Sequence, residues 1–277
     1  MDALVSTEWL AGALGAADLV VFDATYYLPN EKKDGPALFR EAHIPGARFF
    51  DIGVVADLDT ALPHMVPTPG RFEKLLGAMG VGNESRVVFY DQKGLQSAAR
   101  GWWMMGLFGH DRAAVLDGGL PKWVREGRGT ESGDAPCPAP ASFQATYRAG
   151  RLRGLGDMMS ADAGRVVLDA RAAGRFHGTA PEPRPGLPNG HMPGSRSVPS
   201  TSLLEADGTM LAPERLREIF AAVGADGSKP VVTSCGTGVT ATILTLGLVR
   251  AGLPQGAVYD GSWTEWAGRP DTVKEIT

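Results

Sequence analysis

The second half of the chain alternates short apolar, β-branched runs with longer stretches of helical period. Arg165 to Asp169 predicts a strand. Pro213 to Val223 predicts an amphipathic helix, with Leu216, Ile219 and Phe220 spaced to share one face. Val231 to Ser234 predicts a second strand, apolar enough to be central. Thr240 to Ala251 predicts a helix that stops at Gly252, a residue suited to the cap. Val258-Tyr259 predicts a third short strand. The first half repeats this order, with Arg71 to Met79 and Ser97 to Leu107 as helices. Strands alternating with helices call for an α/β fold, a mainly parallel sheet with helices on both faces.

The order is the same in the two halves because the chain repeats itself. Val20-Val21-Phe22-Asp23-Ala24 matches Val166-Val167-Leu168-Asp169-Ala170, and His43-Ile44-Pro45-Gly46 matches His191-Met192-Pro193-Gly194. Val87-Val88-Phe89-Tyr90-Asp91 matches Val231-Val232-Thr233-Ser234-Cys235. Leu116-Asp117-Gly118-Gly119 with Trp123 matches Tyr259-Asp260-Gly261-Ser262 with Trp266. The offsets stay between 143 (116 to 259) and 148 (43 to 191). A period this long marks two copies of a domain rather than a solenoid. A stretch rich in Gly, Pro and Ala lies between them. The expected organisation is a first domain over 1–127, a linker over 128–155 and a second domain over 156–277.

Bulk properties narrow the function. A chain of 277 residues suits two ordinary cores. Apolar residues make up 43% and charged residues 21%, the balance of a soluble globular protein. A net charge of −4 argues against nucleic acid as a partner. No apolar run approaches the ~20 residues of a membrane span. The start, Met1-Asp2-Ala3-Leu4, lacks the features of a signal peptide, so a cytoplasmic location is expected. Two cysteines make neither a disulfide framework nor a cysteine-rich zinc site. Cys137 sits in a proline-broken loop and reads as a linker residue.

Cys235 ends a strand and opens Cys-Gly-Thr-Gly-Val-Thr just before a helix. The carboxyl end of a strand in such a sheet is where ligands bind. A Gly-rich turn there can aim successive backbone N–H groups inward, and the next helix adds the positive end of its dipole. The cradle would be lined by the amides of Gly236, Thr237, Gly238, Val239 and Thr240, with Gly236 and Gly238 freeing the backbone to curl. A thiolate is an anion, so the cradle favours a reactive cysteine. The plainer reading is a buried structural cysteine. It is disfavoured because the matching residue in the first half is Asp91, and a packing position does not readily exchange Cys for Asp. The first half is therefore read as catalytically silent. A cysteine phosphatase would need Arg six positions after the Cys to clamp phosphate, and Ala241 stands there.

These features together resemble the tandem rhodanese-domain sulfurtransferases: two α/β halves, an acidic residue replacing the cysteine in the first, and Cys-Gly-Thr-Gly-Val-Thr in the second. Gly236-Thr237 is similar to the 3-mercaptopyruvate branch, whereas the thiosulfate branch usually carries a basic pair there. The resemblance implies sulfur transfer from 3-mercaptopyruvate through a Cys235 persulfide to a thiol such as thioredoxin, or to cyanide, with no metal or organic cofactor. It places two arginines over the substrate, which by local match are Arg175 in Gly174-Arg175-Phe176 and Arg184 in Pro183-Arg184-Pro185. A guanidinium fork is also what a keto-acid carboxylate calls for. The branch's hydroxyl–His–Asp relay maps onto Thr237 and His64. Its acidic position falls on Gly53, and neither Asp51 nor Asp57 matches. His43 and His191, kept in both halves, read as fold maintenance, and His110 and His177 show no constellation. The resemblance implies a monomer. Thiosulfate as donor, and a persulfide carrier that turns over no small donor, are the competing readings.

Overall fold

The computed structural model describes residues 1–135, 137–160 and 164–277. In the first half, strands β1 (Leu4–Val5), β2 (Leu19–Asp23), β3 (Arg48–Phe49), β4 (Arg86–Tyr90) and β5 (Ala113–Leu116) alternate with helices α1 (Thr7–Ala13), α2 (Gly35–Glu41), α3 (Pro69–Ala78), α4 (Ala98–Leu107) and α5 (Gly119–Arg125). In the second, β6 (Leu152–Arg153), β7 (Val166–Asp169), β8 (Arg196–Ser197), β9 (Val231–Ser234) and β10 (Ala257–Tyr259) alternate with α6 (Leu155–Met159), α7 (Ala173–Phe176), α8 (Pro213–Ala222), α9 (Ala241–Arg250) and α10 (Ser262–Gly268). The strand orders are β1-β5-β4-β2-β3 and β6-β10-β9-β7-β8, the same arrangement twice, and every pairing is parallel.

Period-two alternation along the strands builds two faces. Val20, Phe22, Val87, Phe89 and Val115 face Phe72 and Leu76 of α3 and the apolar side of α4. Val21, Val88, Tyr90 and Leu116 face Leu10, Phe39 and Trp123 of α1, α2 and α5. The second half repeats this, with Leu168, Val231 and Val258 toward α8 and α9, and Val232 and Tyr259 toward Met158, Trp263 and Trp266. Helices α4 and α9 pack against each other, and the apolar cluster runs unbroken through both halves. All ten residues of α4 are buried, and so are the first eight of α9. Helices apolar all round are built for such a place. Each buried Leu or Ile there contributes about 1.5–3 kcal/mol.

The two histidines of the repeated turns do the same work in each copy. The His43 ring lies 4.1 Å from the Phe39 ring and its Nδ1 donates to the Phe39 carbonyl (2.9 Å). The His191 ring lies 3.9 Å from Phe176 and donates to its carbonyl (3.0 Å). Each then forms a short antiparallel bridge, to Glu131 and to Glu275.

Strand β9 coincides with its predicted span, and the long helices fall within two residues of theirs. The two-residue strands β1, β3, β6 and β8 carry too little period to be read. Strand β6 and the first residue of α6 lie inside the stretch expected to be linker. Residues 141–148 of that stretch pack back on the first half: the Ala141, Thr146 and Arg148 amides donate to the carbonyls of Gly77, Phe108 and Leu107. No helix among the described residues is long and apolar enough to cross a membrane.

Candidate active site

Cys235 follows β9 and is 2% exposed. Its amide donates to Ser262 Oγ (3.1 Å), which donates to the Tyr259 carbonyl (2.7 Å). Its own carbonyl accepts from Trp263 N (3.0 Å), and the Gly236 carbonyl accepts from Thr264 N (2.9 Å) and Thr264 Oγ1 (2.8 Å). The N-terminus of α10 thus takes the carbonyls of the loop. The N–H groups of Gly236 through Ala241 have no acceptor among the described residues, and Thr240 caps α9 without a side-chain bond. The two glycines serve different needs. Gly238 has φ +75°, and a Cβ there would lie 2.7 Å from the Asp260 carbonyl oxygen. Gly236 has no positive φ; its missing Cβ makes room for Arg175 Nη2, which would lie 3.1 Å away.

Above the loop lies a small cleft between the halves. Cys235, Gly236, Thr237, Val239, Thr240, Arg175 and Arg184 line it from the second half, and Tyr26, Lys93, Gln96 and Ser97 from the first. Both predicted arginines are therefore brought to the cysteine. Arg175 is gripped by Glu182 (Nη2–Oε2 2.6 Å, Nε–Oε1 3.2 Å), and Glu182 is shared with the buried Arg171 (2.9 Å), itself paired with Asp169 (2.7 Å). Arg184 donates to the Tyr26 hydroxyl (3.1 Å) and has no carboxylate partner among the described residues.

His64 reaches the site from the first half. Its Nδ1 is 3.0 Å from Thr237 Oγ1, and its ring meets Tyr26 edge-on at 4.5 Å. Burial first, then the charges of Arg100 and Arg184, pull its pKa down to about 3, so the imidazole is neutral near pH 7. No carboxylate bonds to its ring among the described residues. Asp51 Oδ1 accepts from Gly53 N (2.8 Å) and Val54 N (3.2 Å), and Asp57 Oδ1 from Asp59 N (2.9 Å), so each is spent on its own turn. Of the expected relay, the structure brings together Thr237 and His64 and places no carboxylate beside them among the described residues. His110 and His177 bond elsewhere, to the Ser85 carbonyl and to Thr277.

Residues 6–126 and 154–269 each match the model of the rhodanese-like domain. The chain belongs to the rhodanese-like family. It is 42% identical over 281 residues to human 3-mercaptopyruvate sulfurtransferase, covering 98% of this chain and 94% of that one. It is 41% identical over 292 residues to thiosulfate/3-mercaptopyruvate sulfurtransferase 1, mitochondrial, of Arabidopsis thaliana, covering 98% and 77%. The crystal structure of SseA from Escherichia coli, a 3-mercaptopyruvate sulfotransferase, matches with a TM-score of 0.85 at 32% identity, over 95% of this chain and 99% of that one.

The first rhodanese-like domain keeps the strand–loop–helix geometry and fills it. Asp91 Oδ2 accepts from the amides of Gln96 (2.7 Å), Ser97 (2.9 Å) and Ala98 (3.0 Å), and Oδ1 from Lys93 (2.9 Å). The anion cradle is occupied by the chain's own carboxylate. Reading the sequence missed Tyr26, Lys93, Glu182 and Arg100. Tyr26 and Lys93 follow the carboxyl ends of strands in the half read as silent, where no local motif marks them. Glu182 sits within the Arg184 motif. Arg100 carried the clearest signal: it is the single charge in the helix predicted from Ser97 to Leu107.

Proposed function

We propose that this protein is a 3-mercaptopyruvate sulfurtransferase that carries sulfur as a persulfide on Cys235. One observation carries the reading: a cysteine thiol lies on the floor of a cleft, beside six amides without a protein acceptor and beneath two arginines. The Cys235 thiolate attacks the sulfur of 3-mercaptopyruvate. The S–S bond forms as the C–S bond breaks, and the electron pair leaves on carbon as the pyruvate enolate. The thiol proton stays on the outer sulfur, and the enolate takes up one proton to become pyruvate. Arg175 and Arg184 hold the carboxylate and the oxygen on which charge develops. The amides of Gly236 to Thr240 hold the sulfur anion. Neutral His64 accepts from the Thr237 hydroxyl and so orients the group that can relay the proton. A second thiol, such as that of thioredoxin, or cyanide then attacks the outer sulfur and restores the thiolate.

Charge supports a monoanionic donor. Glu182 matches Arg175, Glu31 matches Lys93 (2.6 Å), and Arg184 is left as the cation without a carboxylate. A surplus of one suits a keto-acid carboxylate. The thiosulfate dianion would gain from the basic pair that Gly236-Thr237 lacks. Thiosulfate remains the second reading because the Arabidopsis relative is named for both donors. Both cysteines are free, which suits the reducing cytoplasm. Steady-state assays test the reading. Pyruvate and transferred sulfur should appear in equal amounts, Cys235→Ser should abolish both, and kcat/KM should favour 3-mercaptopyruvate. A higher kcat/KM for thiosulfate overturns the donor assignment, and turnover by Cys235→Ser overturns the mechanism.

A further inference from the structure

Beneath the catalytic loop lies a buried ion pair that the chemistry above does not use. Arg100, in the first turn of α4 in the first domain, has 0% side-chain exposure; Asp260, just after β10 in the second, has 3%. Arg100 Nη2 bonds Asp260 Oδ1 at 2.8 Å. The other bonds of the pair land on backbone that carries the site. Arg100 Nη2 donates to the His64 carbonyl (2.6 Å) and Nη1 to the Gly238 carbonyl (3.2 Å). Asp260 Oδ2 accepts from Val66 N (2.6 Å), and the Asp260 carbonyl closes over Gly238.

We infer that Arg100 and Asp260 are positioning residues that fix His64 against Thr237 across the domain interface; the inference rests on the site proposed above. Three features favour this over a role in stability alone. A buried ion pair is a poor stabiliser, since desolvation offsets much of the attraction and an apolar pair of equal volume often does as well. Arg100 Nε is buried with no partner, a cost that packing for stability alone would avoid. His64 has φ +63°, a left-handed conformation that a non-glycine residue keeps only when its surroundings hold it. The bond to the His64 carbonyl holds that residue directly, and the bond to the Val66 amide holds the chain two residues further on. The pair therefore clamps the loop bearing His64 to the loop bearing Thr237, one partner from each domain. It also sets a positive charge beneath the imidazole. The groups facing His64 are the cations Arg100 and Arg184, the Thr237 hydroxyl and the Tyr26 ring.

The test is the double substitution Arg100→Gln/Asp260→Asn, which removes both charges, keeps polar side chains, and withdraws the two Nη nitrogens from their three acceptors. The readouts are kcat and KM for 3-mercaptopyruvate, the melting temperature, and the titration of the labelled His64 ring by NMR. The expected result is a folded protein with kcat reduced about tenfold or more, KM changed less than about threefold, and the His64 titration moved upward, as loss of positioning and of a nearby cation requires. A purely structural pair would lower the melting temperature and leave both the kcat of the folded protein and the His64 titration alone; that outcome overturns the inference. If the double variant does not fold, Arg100→Lys decides. It keeps the charge, but one ammonium cannot span the three acceptors. A folded Arg100→Lys protein with lowered kcat supports the inference, and one with wild-type kcat overturns it. If the wild-type protein itself takes no sulfur from 3-mercaptopyruvate, the donor reading fails, and the His64 titration still decides the positioning claim.

Discussion

The loops after β4 and β9 are the same construction put to different use. Both leave a central strand and enter a buried helix. Asp91 and Cys235 each present a carbonyl to the helix after the next strand, accepting from Leu120 N and Trp263 N, both at 3.0 Å. In the first loop a carboxylate gathers four amides. In the second, six consecutive amides have no protein acceptor and a thiol stands where the carboxylate was. The surroundings differ as well. The second domain carries the chain Asp169–Arg171–Glu182–Arg175 toward its loop, and Thr25 stands where Arg171 would be in the first. The cradle thus belongs to the fold. One residue at its mouth, and the cations above it, decide whether it is a structural plug or a reactive centre.

The sharpest way to break this comparison is to plug the second loop as the first is plugged. Cys235→Asp should reduce pyruvate formation to background while the melting temperature equals or exceeds that of the wild type, because the new carboxylate accepts the waiting amides. A large drop in melting temperature would show that the two cradles are not equivalent. Next in size, Arg175→Ala and Arg184→Ala should each lower kcat/KM about a hundredfold, the usual scale for removing a group that stabilises developing charge. Unchanged kinetics in both would return them to ordinary surface cations.

Much of this was legible in the sequence, for a physical reason. Strand β9 is four apolar or β-branched residues with a glycine-rich turn at one end, and such a segment has few alternatives. Thr237 lies in the loop itself, and Arg175 and Arg184 lie in short motifs that the family resemblance marks. Meetings of distant parts of the chain are harder to read: His64 with Thr237, 173 residues apart, is implied only by the family resemblance, and Arg100 with Asp260, 160 apart, carries no motif at all. The missing relay acid is of the same kind: Gly53 stands at the acidic position, and only the fold shows that Asp51 turns back on its own loop. Strand β6, at the end of the stretch expected to be linker, is two residues long and has no period to detect.

A smaller effect comes from opening the first cradle. Asp91→Ala leaves four amides without their acceptor and should cost about 2–4 kcal/mol of stability. Because Lys93, Gln96 and Ser97 of that loop line the cleft, KM should rise a few-fold while kcat stays near the wild-type value. Chemical denaturation and steady-state kinetics read the two effects separately.

The last comparison concerns pH. His64 has its folded-state pKa depressed from 6.5 to about 3, so its neutral form is the one the fold accommodates. Its contribution is complete above about pH 6.5 and is lost as pH falls toward 3, where the unfolded chain binds the proton first. Asp23 acts in the opposite sense. Burial, as the largest cause, raises it to about 6, so its contribution is lost as pH rises from about 4 through 6. Melting temperatures of wild type and His64→Asn compared across this range cancel the Asp23 contribution, and the variant should show the shallower acid-side loss. Identical curves would mean that His64 is not desolvated.

The central claim is that a sulfur atom comes to rest on one thiol, and mass spectrometry of the intact protein after one exposure to 3-mercaptopyruvate tests it most directly. The account predicts a gain of a single sulfur, mapped to the peptide bearing Cys235 and not to the exposed Cys137, and removed by a thiol acceptor. No gain, or a gain that persists in Cys235→Ser, would contradict it.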